Sequence, residues 1–283
     1  MSGTVKKAII CPNCGKLISA NAEECYYCGL KNPGKFGMHS FIQRIFGSKI
    51  TIVNAIIYFS VALYVIALIV DPRAILRPSG GIFNLFSPSW KALVILGITG
   101  APSMYGGQYW TLITAIYLHG GLLHILFNML WVKQLGPMVE QIFGTSRFFL
   151  IFTISGVFGF VLSNALTGAP TIGASGSIFG LLGALIYYGR ARGGTFGQYL
   201  YPQLLSWAVI LFLFGFFMPG INNLAHLGGF IGGYVSGNIL GYQEAKHESM
   251  TLRKIAAILI VLTIACFVIS VMTVKSSMML YFR

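Results

Sequence analysis

"GASGSIFG" (173–180) and "AHLGGFIGG" (225–233) place small residues four apart in two segments that carry no charged side chain. Gly176, Gly180 and Ala184 form one row, and Ala225, Gly229, Gly233, Gly237 and Gly241 form another. On a helix, residues four apart lie one above the other on the same face. In lipid, rows of small residues let two helix backbones approach closely. Ser175 adjoins the first member of one row and His226 the first member of the other. The serine therefore has two compatible readings. It is a packing residue, or it is a nucleophile that the packing around it places against an imidazole.

The surroundings of these rows decide the class of protein. Phe148–Gly189 runs 42 residues without a charge. The whole chain has 283 residues, 56% of them hydrophobic and 9% charged, with a mean hydropathy of +0.78. A soluble domain carries about 25% charged residues, so most of this chain is read as solvated by lipid. Charge-free runs occupy Ile50–Val70, Ala92–Val132, Phe148–Gly189, Gly193–Gln243 and Ile255–Val274. A span needs about 20 apolar residues. The third run breaks at "LTGAPT" (166–171) and the fourth at "MPGINN" (218–223), so each holds two spans. The first half of Ala92–Val132 is rich in Gly and Pro and reads as a loop or a partly embedded segment. Seven spans are expected, at 51–70, 112–132, 148–167, 171–189, 199–218, 224–242 and 255–274.

The formal net charge of +13 invites a nucleic-acid reading, but its placement points to membrane topology and to no nucleic-acid partner. Of the 19 Lys and Arg, 14 lie in the N-terminal region and in the loops after the second, fourth and sixth spans. Lys and Arg concentrate on the cytoplasmic side. The expectation is an integral protein of the cell (plasma) membrane, N-terminus cytoplasmic and C-terminus extracytoplasmic. Residues 1–49 have no apolar h-region, so no cleavable signal peptide is expected.

Ahead of the spans, "CPNCGKLISANAEECYYCG" (11–29) contains two Cys-x-x-Cys-Gly knuckles. Two such knuckles suit a closed tetrahedral thiolate site. The reading is a small cytoplasmic zinc ribbon over 1–30, with a structural zinc held by Cys11, Cys14, Cys25 and Cys28 and no metal for catalysis. Two disulfides are the competing reading, disfavoured in a reducing compartment. Such a ribbon suits recruiting a cytoplasmic partner, sensing the cytoplasm or steadying the N-terminus. Residues 31–50 read as a basic linker whose "FIQRIFGSK" (41–49) is amphipathic and suited to the inner leaflet. Residues 51–274 are the membrane domain and 275–283 a short tail. Cys266, in the last span, reads as a small buried hydrophobe.

Ionisable groups inside a membrane are costly, and each raises a functional question. His119, His124 and His226 fall in or at the expected spans, with Asn128 one turn beyond His124. On the expected topology these groups and Ser175 all lie toward the outer side. A serine hydroxyl needs a base to accept its proton, and His226 stands on the row that faces Ser175. The chain has one Asp, Asp71, and its five Glu are all expected on the cytoplasmic side. A Ser–His dyad is therefore expected in place of a triad, with Phe179 packing on the imidazole. His124, Asn128 and the Ser175 amide are candidate donors to an oxyanion.

"HILFN" (124–128), "GASG" (173–176) and "AHLGGFIGG" (225–233), in that order, resemble the rhomboid intramembrane serine proteases over about 51–274. The resemblance implies an all-α polytopic membrane fold: a rhomboid-like six-helix bundle around a water-filled cavity, here with a C-terminal seventh helix. It implies Ser175 as nucleophile, His226 as general base and oxyanion roles for His124, Asn128 and the Ser175 amide. Supporting positions fall at His119, Gly173, Gly176, Phe179, Gly229 and Gly233. Where many members carry Trp-Arg in the long first loop, this chain has Trp110-Thr111, and where a Tyr often follows the serine by four residues it has Phe179. The implied activity is cleavage of single-span transmembrane substrates near the extracytoplasmic side. Two other classes compete: a catalytically inactive rhomboid-like protein that binds membrane clients, and a transporter. Ser175 and His226 together disfavour the first. The second is disfavoured because the polar groups cluster near one surface and no inverted repeat is evident.

Overall fold

The computed structural model describes residues 8–11, 16–19, 22–27, 29, 33, 51–72, 85–218, 220–242 and 248–282. Two strands, β1 (Ala8–Ile10) and β2 (Leu17–Ser19), pair antiparallel with Ile9 opposite Ile18. The helices are α1 (Ile52–Val70), α2 (Trp90–Leu96), α3 (Ala101–Tyr105) and α4 (Thr111–Thr114), which runs into a 3-10 turn at Ala115–Tyr117. They continue as α5 (Leu122–Phe143), α6 (Thr145–Leu166), α7 (Ser175–Arg192), α8 (Gly194–Phe217), α9 (Asn223–Leu240), α10 (Met250–Met272) and α11 (Val274–Tyr281).

Helices form because a backbone in lipid has no water to bond and must satisfy its own N–H and C=O groups. Among the described residues, four helices are long and apolar enough to cross a membrane: α1, α6, most of α8, and α10. The pair α4 and α5, bent by 92°, would make a fifth. The chain is an integral membrane protein. α7 and α9 have 18 residues each, but their Gly, Ser and His content lowers their apolarity. α7 turns that content toward protein, and every residue from Gly176 to Ile186 is buried. α8 and α10 do the reverse. They expose Ile210, Phe216, Phe217, Ile258 and Val261, as suits helices solvated by lipid.

α7 is the centre of the bundle, with α6, α9, α8 and α5 packed around it. The α7–α9 contact is made by backbone. A Cβ on Gly229 would overlap the Gly176 carbonyl, and one on Gly233 would overlap that of Gly180. α6 joins through the same device: a Cβ on Gly159 would collide with the Ala225 carbonyl.

Three expectations need correction. The second span, expected at 112–132, is α5 at Leu122–Phe143. The break falls at Gly120–Gly121, and α5 continues past Lys133, which ended the charge-free run but sits exposed on the helix surface. The fourth span, expected from 171, begins at Ser175. Thr171 is held instead in a bridge to Thr99, with N–H···O distances of 2.8 and 3.4 Å. Ser175 is thus the first residue of its helix and not one turn inside it. Residues 275–283, expected as a tail, are mostly α11, packed on the 98–108 segment. The amphipathic stretch 41–49 lies outside the described residues.

The helix ends form two distinct clusters. At one end the Glu248 carboxylate accepts from the Ser146 N–H (2.6 Å) and hydroxyl (2.9 Å), and Arg147 Nε donates to the Leu240 carbonyl (3.0 Å). That ties together the starts of α6 and α10 and the end of α9. The starts of α5, α7 and α9 gather at the opposite end.

The backbone contacts predict a graded response to added methyl groups. Gly229→Ala and Gly233→Ala should each destabilise by about 1–3 kcal/mol through overpacking. Gly237→Ala, whose Cβ would sit 3.2 Å from Ala184, should be near neutral, because the gain in helix propensity of up to about 1 kcal/mol offsets the squeeze. Thermal unfolding in detergent checks the order.

Candidate functional site

The site is built where the first turns of α5, α7 and α9 meet. A Cβ on Gly176 would lie 3.3 Å from the Ala225 carbonyl, so the neighbours of these two residues, Ser175 and His226, stand at the same level of facing helices. The His226 ring is buried and stacks on Phe179, with centroids 4.3 Å apart and planes 16° from parallel. Its Nδ1 is buried and, among the described residues, has no hydrogen-bond partner. Among the described residues no carboxylate holds that nitrogen, and the stacked ring lies against the plane of the imidazole. Among the described residues no hydrogen bond joins Ser175 to His226.

His124 lies in the first turn of α5. The Gly120 N–H donates to its Nδ1 at 3.3 Å. A backbone N–H can only donate, so Nδ1 is the acceptor nitrogen and the proton of the neutral ring sits on Nε2. That N–H faces Gly173, where a Cβ would lie 2.7 Å from Nε2. Gly173 also has φ +119°, which L side chains rarely adopt. Two independent constraints thus call for glycine here. Asn128 donates from Nδ2 to the His124 carbonyl at 2.7 Å, keeping its second amide N–H available. His119, buried just before α5, approaches His124 edge-on at 5.1 Å. Its Nδ1 pairs with the Tyr117 carbonyl at 3.2 Å and must carry the proton there, and its Nε2 is buried without a partner among the described residues.

One organising residue escaped the sequence reading. Asn222 caps α9, its Oδ1 accepting from the Ala225 N–H at 3.1 Å. Its Nδ2 donates to Ser163 Oγ at 2.6 Å and to Thr171 Oγ1 at 2.8 Å. One amide thereby joins the end of α6, the loop before Ser175 and the start of the helix that carries His226. The Gly173 N–H donates to the Ala115 carbonyl at 2.8 Å and completes the tie. The signal was present in "MPGINN", because Asn is a preferred residue just ahead of a helix. Its two side-chain donations link distant segments and leave no local pattern.

Residues 106–243 match the family model of the rhomboid domain. That stretch, just under half of the chain, is similar to the rhomboid domain. The chain's similarity extends to a rhomboid protease of Bacillus subtilis strain 168, GluP, 35% identical over 159 residues that cover 56% of this chain and 31% of that protein. RHOMBOID-like protein 5 of Arabidopsis thaliana is 35% identical over 176 residues, 58% of this chain and 56% of that protein. RHOMBOID-like protein 2 of the same plant is 30% identical over 213 residues, 70% of this chain and 66% of its own length. The chain thus spans about a third of the bacterial relative and between half and two thirds of the plant ones.

The matched stretch encloses His119, His124, Asn128, Ser175, Phe179, Asn222 and His226 and leaves the β1–β2 hairpin, α1, α2, α3, α10 and α11 outside. In the hairpin the Cys11 N–H donates to the Lys16 carbonyl at 2.8 Å, and Cys11 and Cys25 are both buried. Gly29 follows the second knuckle at φ +68°, its N–H on the Cys25 carbonyl at 2.8 Å. Cys14 and Cys28 lie outside the described residues.

Asn222→Ala should cost about 1–2 kcal/mol for the lost cap alone and more where Ser163 and Thr171 lose their donor. Asn222→Asp keeps the capping oxygen and should recover only the first part. Unfolding midpoints of the two variants check the split.

Proposed function

We propose that this protein is an intramembrane serine endopeptidase in which Ser175 is the nucleophile and His226 the general base. The observation that carries the reading is the backbone contact between α7 and α9, which sets the neighbours of Ser175 and His226 against each other within the stretch similar to the rhomboid domain. The relative named a rhomboid protease supports the reaction class.

The chemistry needs a proton path and an anion site. The Ser175 hydroxyl gives its proton to the His226 imidazole as Oγ bonds to the scissile carbonyl carbon. The C–N bond then breaks as the imidazolium returns that proton to the leaving nitrogen. Water attacks the acyl-enzyme, giving a proton to His226, and the Ser175 hydroxyl is restored as the acid product leaves. The carbonyl oxygen is negative in both tetrahedral intermediates. The Nε2–H of His124, the available N–H of Asn128 and the Ser175 amide at the positive end of α7 are the groups suited to stabilise it. With no carboxylate on His226 among the described residues, the stacking of Phe179 carries the task of orienting the base.

The substrates proposed are single-span membrane proteins, cut near the extracytoplasmic side where a helix can unwind. This takes the N-terminus as cytoplasmic, in the plasma membrane, as the distribution of Lys and Arg favours. The N-terminal module is proposed to hold a structural zinc through Cys11, Cys14, Cys25 and Cys28. The hairpin, the two buried cysteines and the turn at Gly29 fit a closed thiolate site, and with four sulfurs the metal would brace the fold. A cytoplasmic partner is its proposed use.

Labelling with a fluorophosphonate probe tests the hydrolase reading. Wild type should label, and Ser175→Ala and His226→Ala should not, with cleavage of a reporter transmembrane substrate lost in parallel. Labelling that persists in Ser175→Ala would sink the assignment, and a folded wild type inert to probe and reporter would favour the client-binding class. Removing one oxyanion donor, as in Asn128→Ala, should lower kcat by about 10²–10³. Cys14→Ser should remove the zinc from purified protein, read by metal analysis, and leave labelling of the membrane domain intact.

A further inference from the structure

α11 lies outside the stretch similar to the rhomboid domain, yet its polar face is spent on the segment beside the site. Ser277 and Tyr281 point into the bundle end. The Tyr281 hydroxyl bonds Ser103 Oγ at 2.8 Å, and both hydroxyls converge on the Ile98 carbonyl, at 3.3 and 3.0 Å. The buried Gln108 side chain donates from Nε2 to Ser277 Oγ at 3.0 Å. Leu280 fills the space over Gly106, and the Tyr281 ring meets Trp90 edge-on at 6.0 Å.

The clamped segment continues directly into the loop that launches Ser175. Ile98 is followed by Thr99, which exchanges two backbone hydrogen bonds with Thr171. The Ala101 N–H donates to the Gly168 carbonyl at 2.8 Å, and Gly100 lies so close to Pro170 that a Cβ would sit 2.9 Å from its Cα. Asn164 adds a donation to Thr99 Oγ1 at 3.1 Å. Thr171 in turn is held by Asn222, the cap of the His226 helix. Only three residues separate Thr171 from Ser175. No element of this path needs the α11 hydroxyls merely to bury apolar surface.

We infer that α11 is a positioning latch for the active-site loop: Ser277 and Tyr281, acting through Gln108, Ser103 and the Ile98 carbonyl, hold residues 168–174 in the register that sets Ser175 against His226. This rests on the serine-hydrolase reading for its consequence in rate, but the coupling between α11 and the loop stands apart from it. Ser277 and Tyr281 touch neither Ser175 nor His226 and act only through the loop. A latch of this kind matters because a misplacement of about 1 Å in a reacting group can cost on the order of 10²-fold in rate.

Hydrogen exchange on the full-length protein, paired with fluorophosphonate labelling, tests it. In the double variant Ser277→Ala/Tyr281→Phe, which keeps the ring on Trp90, the amides of Thr171 and Gly173 should exchange roughly tenfold faster, the scale of one or two lost hydrogen bonds. Protection within α7 and α9 should hold. Ser175 labelling should slow by at least a similar factor, and kcat on the reporter substrate should fall while KM holds. Unchanged exchange at 168–174 overturns the inference. So does an equal rise in exchange throughout the bundle, which would make α11 a general brace, and so does loosening of the loop with labelling at the wild-type rate. Deleting 274–283 should reproduce the double variant, and the point variants decide the matter if the deletion does not fold. A wild type that never labels defeats the hydrolase reading alone, and the exchange arm still decides whether α11 holds the loop.

Discussion

The approach of α7 to α9, backbone against backbone, is the constraint on which the rest depends. Lipid tails are as apolar as Leu, so helices in a bilayer gain nothing by simply hiding hydrophobic surface from each other. Van der Waals contact at short range is what holds them, and it reaches its greatest extent where no side chain intervenes. Gly229 against the Gly176 carbonyl and Gly233 against Gly180 leave no room even for a methyl group. A contact of that kind has no rotamers to adjust. It fixes the depth and rotation of the two helices together, and the residues beside Gly176 and Ala225 inherit that precision.

Packing by glycine sets the helices but cannot by itself order the loops that lead into them. That task falls to polar groups at one end of the bundle. Asn222 spends its whole amide on three segments, and Thr99 and Thr171 pair as a two-residue fragment of sheet between helices. Buried polar groups are tolerated when they are bonded, and here the bonding is also the positioning. The opposite end, with Glu248, Ser146 and Arg147, uses charge for a similar joining of helix ends.

Nine buried side-chain atoms depart from this rule among the described residues, and two of them, His226 Nδ1 and His119 Nε2, are imidazole nitrogens near His124. His124 between them is fully specified, one nitrogen taken by the Gly120 N–H and the other directed past Gly173. The other seven are spread through the bundle, whereas these two lie on either side of the His124 ring. The ring stack of Phe179 on His226 shows how an imidazole without a carboxylate can still be held in one plane.

Composition, the charge-free runs and the two rows of small residues were enough to read a helical membrane protein with one close helix pair, because lipid solvation and four-residue spacing are local properties of a chain. Several boundaries were not legible. The start of α5 was hidden because a Gly–Gly break inside an apolar run carries no change in polarity, and α11 was hidden because its eight residues are too short and too polar to read as a span. The N-terminal cysteines were legible as a pattern, which is a matter of spacing alone. Asn222 was passed over inside the break between two spans, since its side-chain donations run to residues 51 and 59 positions away. Which residues share a helix face was written in the sequence. Which loop each helix end would grip was decided only by the folded bundle, because those hydrogen bonds join segments whose nearness arises from packing and from no neighbour in the chain.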